Sequence, residues 1–295
     1  MANPVETSII VPVYNEAANL KKLLGQLHGL GLPECEIIVV DDGSSDGSAD
    51  IAMAGGANVV RHPYNIGNGA AVKSGMRAAK GKFIVLMDGD GQHKPEDIPK
   101  LLAAADIFHM VVGARAKGSK LRMHRNLANM VYNLLASYVT RFRVEDLTSG
   151  FRVMRRRDAL RFIDLLPNTF SYPTTLTLAF LRSGLTVKYL PIQTLYRAGQ
   201  SKISLVTDGI LFLLIITKIA TLFSPFRVFL PVSVFFFVVG LGNYIYTYVT
   251  QNRFTNMSVF ALSTAVIIFM LGLISEQIAL LRMERQESGR RQDDG

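Results

Sequence analysis

The sequence predicts an α/β chain with a mostly parallel central sheet, followed by interfacial helices and a two-helix transmembrane hairpin. Three observations carry that prediction. Short apolar runs alternate with helical patterns from residue 7 onward, two long uncharged runs stand near the C-terminus, and all the net charge lies ahead of them. The 295 residues carry a net charge of +9 with a mean hydropathy of +0.26. Residues 1–227 hold 27 Lys and Arg against 18 Asp and Glu, an excess equal to that whole net charge, and residues 228–295 hold five of each. A basic chain is normally polar, whereas a positive hydropathy belongs to chains that meet lipid. The split excludes a disordered protein, a disulfide-stapled secreted module and an ordinary soluble enzyme. The single Cys35 has no partner within the chain, which fits a reducing compartment.

Taken in order, Thr7–Val13, Glu36–Val40, Asn58–Arg61, Lys82–Met87 and Ile107–Gly113 read as strands. Leu20, Leu23, Leu24 and Leu27 recur at helical spacing between the first two. Pro95 opens a helix through Leu101 and Leu102 between the last two. Strand-helix alternation predicts a doubly wound sheet with ligands at the carboxyl ends of its strands. From Ile107 to Val144 the chain carries Arg115, Lys117, Lys120, Arg122, Arg125, Arg141 and Arg143 with no acid. Within that stretch Leu127, Met130, Val131, Leu134, Leu135 and Tyr138 read as an amphipathic helix packing on the core.

Domain organisation follows from the composition. Residues 1–202 form the predicted cytoplasmic domain and 203–227, apolar but broken by Asp208 and Lys218, its interfacial helices. Residues 228–281 form two spans, and 282–295 a tail expected to be disordered. Val228–Asn252 carries no charge and Phe254–Ser275 is a second uncharged run, each long enough to cross a hydrocarbon layer of about 30 Å. Tyr244, Tyr246 and Tyr248 suit an aromatic belt, Glu276 falls at headgroup level, and the flanking cations place both ends of the hairpin in the cytoplasm.

Function is expected in the turns after the strands. Pro12-Val13-Tyr14-Asn15-Glu16 stands where a dehydrogenase would carry its glycine fingerprint, which disfavours that class. Asp41-Asp42-Gly43-Ser44-Ser45-Asp46-Gly47 offers carboxylates for ribose hydroxyls and base N–H groups; a helix-capping turn around Ser45 and Asp46 explains it equally well. Asp88-Gly89-Asp90-Gly91-Gln92-His93 places two carboxylates one residue apart. That pattern suits a hard cation, Mg²⁺ or Mn²⁺, bridging a diphosphate, though taken alone it is commonly a solvated turn. Arg155-Arg156-Arg157 invites a nucleic-acid reading, but without interleaved aromatics no nucleic-acid partner is expected.

These turns, with Asn65-Ile66-Gly67-Asn68-Gly69 and Gly113-Ala114-Arg115, resemble the ordered motifs of family 2 inverting glycosyltransferases, and most of all the dolichyl- or polyprenyl-phosphate sugar transferases within them. The resemblance runs from about residue 7 to 205 and extends to the two-span tail. It implies a glycosyltransferase A-type domain that moves one sugar from a nucleotide-sugar, GDP-mannose or a UDP-hexose, to polyprenyl or dolichyl phosphate at the cytoplasmic membrane face. In that likeness Pro12, Tyr14, Glu16, Asp41, Asp42, Asp88, Gly89, Asp90 and Arg115 bind the nucleotide-sugar, and Asp88, Asp90 and Gln92 hold the metal. Arg125, Ser149, Arg197 and Lys202 meet the acceptor phosphate. Asp90, Arg115 and Asp146 are the catalytic candidates, Asp146 as a base or acceptor-orienting residue, or else as a loop cap. Gly89 and Gly91 depart from the family, which often has bulkier residues beside the two aspartates.

Two other readings remain open at this stage. A processive polysaccharide synthase shares the early motifs but carries a Gln-x-x-Arg-Trp motif, and this chain has no tryptophan. A non-catalytic, membrane-tethered nucleotide-binding scaffold would need the same pocket without turnover. Membrane lipids are expected partners, and the lipid-facing surface of a two-span hairpin allows a homo-oligomer.

Overall fold

The computed structural model describes residues 5–115, 123–169, 171–194 and 225–293, with Leu214, Thr217 and Thr221. The chain divides into two units, Met1–Leu213 and Leu214–Gly295. The first holds the strands β1 (Thr7–Val13), β2 (Cys35–Asp41), β3 (Asn58–Arg61), β4 (Phe83–Leu86), β5 (Met110–Arg115), β6 (Arg152–Arg155) and β7 (Val187–Ile192). Its helices are α1 (Ala17–Gly29), α2 (Ser48–Ala54), α3 (Asn68–Ala78), α4 (Ile98–Ala105), α5 (Met123–Thr140), α6 (Arg156–Leu160) and α7 (Tyr172–Arg182).

Every residue of β1 is buried, as a run rich in Ile and Val requires at the centre of a sheet covered on both faces. Alternation then assigns the layers. Ile9, Val11 and Val13 join one core with Leu20, Leu23, Leu24 and Leu27 of α1 and Ile98 and Leu101 of α4. Ile10 points the other way, against Gly75 of α3, where a side chain would collide with it. Pro95 opens a short 3₁₀ turn, Pro95–Asp97, that feeds α4.

The sheet order is β3-β2-β1-β4-β6-β5-β7, parallel except for β6, which runs antiparallel to both β4 and β5. β1 lies between β2 and β4, so the chain winds outward to one edge through β3 and returns on the other side of β1. That reversal opens a crevice at the strand ends. Register brings the ends of β1, β2 and β3 level, with Val13 opposite Asp41 and Asp41 opposite Arg61, while β4 ends earlier, with Leu86 opposite Ile10. Neither β6 nor β7 is apparent from the sequence. β6 begins with Arg152, fully buried, and ends in the basic run, so its strand character is hidden in charge.

In the second unit α8 (Phe226–Gln251) and α9 (Asn256–Asp293) form a hairpin. Phe226–Gln251 and Asn256–Leu281 are each long and apolar enough to cross a membrane, and both are largely exposed, unlike core helices of a soluble domain. Asn252 closes α8 in the left-handed conformation, with φ 49°. Small residues let the helices approach: a side chain at Gly240 would meet Ala261 and Leu262 at 3.0 Å. Polar groups pair across the hairpin, with Ser233 Oγ donating to Ala265 O (2.8 Å) and Asn243 Nδ2 to Ser258 Oγ (3.0 Å). Glu276 accepts from the backbone N–H of Phe226 (3.1 Å), which caps the first turn of α8. The tail expected to be disordered continues α9 to Asp293. Glu276 to Ser288 is rich in Arg, Glu, Gln, Leu and Met without Gly or Pro, a composition that propagates a helix once the span has nucleated it.

Candidate active site

The turns after β1 and β2 are sewn together. Asn15, with φ 55°, donates its N–H to Ser44 Oγ (2.9 Å) and accepts from Ser45 N at its own side chain (2.9 Å). The N–H of Glu16 reaches Ser48 Oγ (3.2 Å) and that of Ala17 reaches Asp46 Oδ2 (2.9 Å). Ser45 and Asp46 thus tie two strand ends together rather than only capping α2. Pro12 is buried, Tyr14 is exposed, and Glu16 opens α1 while accepting from Asn19 Nδ2 (2.9 Å).

Asp41 and Asp42 have different employments. Asp41 is fully buried and its Oδ1 accepts from Ser44 N (2.9 Å). Its Oδ2 lies 3.3 Å from Arg61 Nε, close enough for ion pairing but without hydrogen-bond alignment, so this buried oxygen keeps acceptor capacity. An open cleft of about 380 Å³ lies here, lined by Gly43, Ser44, Arg61, His62 and Pro63. Asp42 is occupied within the protein: Oδ1 accepts from His62 Nδ1 (2.7 Å) and Ile66 N (3.0 Å), Oδ2 from Gly67 N (2.8 Å). Asp42, expected at the nucleotide, thus also holds the 62–67 loop. Gly43 closes that packing, because at φ 76° a Cβ would stand 2.6 Å from the carbonyl carbon of Tyr64. Gly43→Ala is expected to lower the unfolding free energy by about 1–3 kcal/mol and to weaken donor binding. A thermal melt unchanged from wild type would refute it.

The Asn65–Gly69 motif has a structural task as well. Gly67, at φ 123°, and Gly69 let the 167–169 segment press against the start of α3, where Lys73 Nζ reaches Leu166 O (3.2 Å) and Asn168 Oδ1.

After β4, Gly89 is buried against the end of β1, where a Cβ would lie 3.2 Å from Pro12 O. Gly91 takes φ 72°. Close packing at Gly89 and the left-handed backbone at Gly91 both favour glycine. Asp90 Oδ1 accepts from Gln92 N (3.1 Å). Asp88 faces Gly150, where a Cβ would fall 2.6 Å from its Oδ2, so the glycine makes the seat for this carboxylate. His93 is buried, stacks on Phe151 at 5.1 Å, and has Nε2 3.9 Å from Asp88 Oδ2. Burial pushes its pKa down to about 4 against the pull of Asp90, so the ring is neutral at pH 7.

Among the described residues no cluster of three or more His, Cys, Asp or Glu side chains forms a closed metal cage. Two carboxylates on one glycine-bordered turn fit a cation of the Mg²⁺ or Mn²⁺ kind, which takes its other ligands from water and substrate phosphates.

Arg115, at the end of β5, is held by Asp146 through Nε to Oδ2 and Nη2 to Oδ1, both 2.8 Å. Arg115 Nη2 also reaches Thr148 Oγ1. Asp146 accepts in addition from the N–H groups of Arg115 (3.2 Å), Thr148 (3.2 Å) and Ser149 (3.1 Å). Burial would raise its pKa, but the Arg115 guanidinium and these donors hold it below the usual carboxylate value. A carboxylate so engaged is a weak base. Ser149, expected at the acceptor phosphate, is buried and donates to Gly113 O (2.6 Å), so its proton is spent within the fold.

Arg152 does not stand out in the sequence, where the Arg155–Arg157 run follows it. Its guanidinium donates to Pro173 O (3.0 Å), Thr177 Oγ1 (3.2 Å) and Ser149 O. Burial lowers its pKa, while Tyr172, Tyr189, Asp146 and Asp88 favour its charge. Tyr172, also buried, would meet a Gly150 Cβ at 3.1 Å and has its phenol pKa raised by burial and Asp88. Of the remaining acceptor candidates, Arg125 belongs to α5 but its side chain, like all of Arg197 and Lys202, lies outside the described residues.

A mostly parallel sheet that reverses beside β1 and carries acidic turns after β2 and β4 has the architecture of a glycosyltransferase domain of A type. The chain belongs to glycosyl transferase family 2, which matches residues 8–161, and residues 224–281 match the GtrB C-terminal hairpin. An uncharacterized protein of Methanocaldococcus jannaschii is 31% identical over 230 residues, covering 74% of this chain and 94% of that protein. The undecaprenyl-phosphate mannosyltransferase of Micrococcus luteus is 32% identical, covering 66% and 86%. The undecaprenyl-phosphate 4-deoxy-4-formamido-L-arabinose transferase of Photorhabdus laumondii is 30% identical over 57% of this chain and 58% of its own. Among solved structures, glucosyl-3-phosphoglycerate synthase from Mycobacterium tuberculosis with Mn²⁺ and UDP-glucose shares the fold. Its TM-score is 0.60 at 20% identity, covering 73% of this chain and 79% of that one.

Proposed function

We propose that this enzyme transfers a single sugar, with inversion, from a nucleotide-sugar to a polyprenyl phosphate at the cytoplasmic face of a membrane. The observation that carries the reading is the joining, in one chain, of a family 2 domain to a GtrB-type hairpin. The undecaprenyl-phosphate mannosyltransferase that aligns along most of its length supports the same acceptor class. The cytoplasmic placement rests on the basic excess of residues 1–227 and the cations after the second span.

In this reading the cleft beside Asp41 receives the base and ribose, with Pro12, Tyr14 and Glu16 along the β1 end. Asp88, Asp90 and Gln92 hold Mg²⁺ or Mn²⁺, which when bound neutralises charge developing on the diphosphate leaving group. Arg115, aimed by Asp146 and Thr148, adds a fixed cation at the same strand ends. A lipid phosphate is already ionised at neutral pH, so its oxygen can attack the anomeric carbon as the bond to the nucleoside diphosphate breaks, with no proton to remove. That chemistry matches an Asp146 which orients Arg115 rather than one which acts as base. Arg125, Arg197 and Lys202 are the acceptor-phosphate candidates. The protein in liposomes, supplied with polyprenyl phosphate, Mg²⁺ or Mn²⁺ and a panel of nucleotide-sugars, is expected to form a lipid-linked monosaccharide from one of them. Release of a polymer would favour a processive synthase, and binding without turnover a scaffold.

A further inference from the structure

The largest side chain sealed from solvent is a cation, Arg152, at 0% exposure. It opens β6 opposite Leu86 of β4 and Val112 of β5, just inside the turn that carries Asp88 and Asp90 and the strand end that carries Arg115. A buried guanidinium is costly unless acids or a set of acceptors balance it. Its oxygen acceptors are all neutral: Pro173 O (3.0 Å), the Thr177 hydroxyl (3.2 Å) and Ser149 O. Burial works against its charge, and the acids among the groups that favour it, Asp146 and Asp88, both belong to the site. Asp146 is already paired with Arg115. The acceptors also have a common geometry, because Ser149 precedes Gly150 and Pro173 follows Tyr172. Gly150 and Tyr172 are two walls of the notch that holds Asp88: a Cβ at Gly150 would fall 2.6 Å from Asp88 Oδ2 and 3.1 Å from the Tyr172 hydroxyl. One guanidinium therefore holds the backbone on both sides of that notch, through Nη2 on the Gly150 side and Nη1 on the Tyr172 side. Thr177 Oγ1 donates to Pro173 O as well (2.9 Å) and completes the clamp.

We propose that Arg152 is a positioning residue for Asp88: buried beneath the site, it fixes the two walls between which this carboxylate is held to meet a divalent cation. The proposal rests on the reading of the Asp88 turn as the metal site. The planar fork matters, because its two Nη groups reach two carbonyls on segments far apart in the chain. A lysine ammonium, a point charge on a flexible stem, keeps the charge but cannot hold both carbonyls in one plane. A ligating carboxylate whose surroundings are fixed needs less ordering when the cation arrives, and partners behind the ligands commonly set metal affinity. Arg152 is sealed from solvent, so its effect should fall on the cation requirement and leave the nucleotide contacts at the Asp41 cleft as they are.

The test titrates the full-length protein in detergent with UDP and with GDP, each at rising Mn²⁺ and again with chelator, alongside a thermal melt. Arg152→Lys is expected to raise the half-saturating Mn²⁺ for nucleotide binding by about tenfold, with binding in chelator unchanged within about twofold. Gly150→Ala, which fills the notch directly, is expected to match that shift. The double variant should be little worse than either single one, since both act on one carboxylate. Losses that multiply to about a hundredfold would overturn the proposal. So would an Arg152→Lys protein that melts lower yet needs no more Mn²⁺ than wild type, which makes the residue a core element only, and so would wild-type binding indifferent to Mn²⁺. Should Arg152→Lys fail to fold, Thr177→Val, which removes one acceptor at the rear of the clamp, is expected to raise the Mn²⁺ requirement about threefold. An unchanged requirement there would overturn the proposal. Wild-type protein that binds nucleotide with Mn²⁺ but forms no lipid-linked sugar removes the transferase reading and leaves the positioning role standing; sugar transfer with a Mn²⁺ requirement that none of these variants alters does the reverse.

Discussion

Asp90→Ala is expected to lower kcat for sugar transfer by about a thousandfold, the value of several kcal/mol of lost charge stabilisation at the leaving diphosphate. The carboxylate sits on a turn fixed by Gly91 at φ 72° and by Gly89 packed on Pro12 O, so the substitution removes the charge and the bond to Gln92 N but not these two constraints. Nucleotide affinity with Mn²⁺ present should weaken in parallel, whereas the same titration with chelator should not distinguish the variant from wild type. Transfer undiminished by Asp90→Ala would refute the assignment of this turn to the metal and diphosphate.

The second large effect is expected from Asp146. Removing one partner of a buried ion pair leaves the other charged and uncompensated, at a cost of about 3–5 kcal/mol. Asp146→Ala should therefore destabilise the domain and leave Arg115 unaimed, with kcat reduced by about a hundredfold. Arg115→Ala should produce a similar loss. If Asp146 acts through Arg115, the double variant is little worse than either single one; if it were an independent base, the two losses would multiply. The pH dependence separates the same alternatives. Because its folded pKa lies below the ordinary 3.8, the pair contributes stability above that value and loses it as pH falls through 3.8 toward the lower folded pKa. Asp146→Asn should flatten that acid loss. The wild-type kcat should show no ionisation of this carboxylate near neutral pH, and a limb there that disappears in Asp146→Asn would restore the base.

Much of this site was legible before any coordinates. β1 and β3 run over the residues their apolar runs predict, and β1, a β-branched stretch buried on both faces, has few alternatives. The Asp88-Gly89-Asp90 turn suits a cation by residue type, although such a turn taken alone is commonly a solvated one. Its neighbours do not announce themselves. Arg115 and Asp146 are 31 positions apart and meet because the turn leading into β6 comes back beside the end of β5. Asp42 looks as available as Asp41, yet the 62–67 loop consumes both its oxygens.

Helix α5 is the sharpest instance. A period of four residues shows that one face is apolar without showing which way it turns. Among its described side chains Ala136 and Val139 face inward while Met130, Leu134 and Tyr138 are exposed, and Ser137 and Asn133 bond the adjoining 144–147 turn. By itself, then, the sequence determined the alternation that makes the sheet, the acidic turns of the candidate site, and the apolar length that makes the hairpin. Each of these is written in residues next to or near one another. Only the tertiary structure decided which carboxylate is engaged by which loop, which cation is held by which acid, and which apolar side chains stand exposed. Those depend on strand order and close approach between segments far apart in the chain, where local periodicity carries no information.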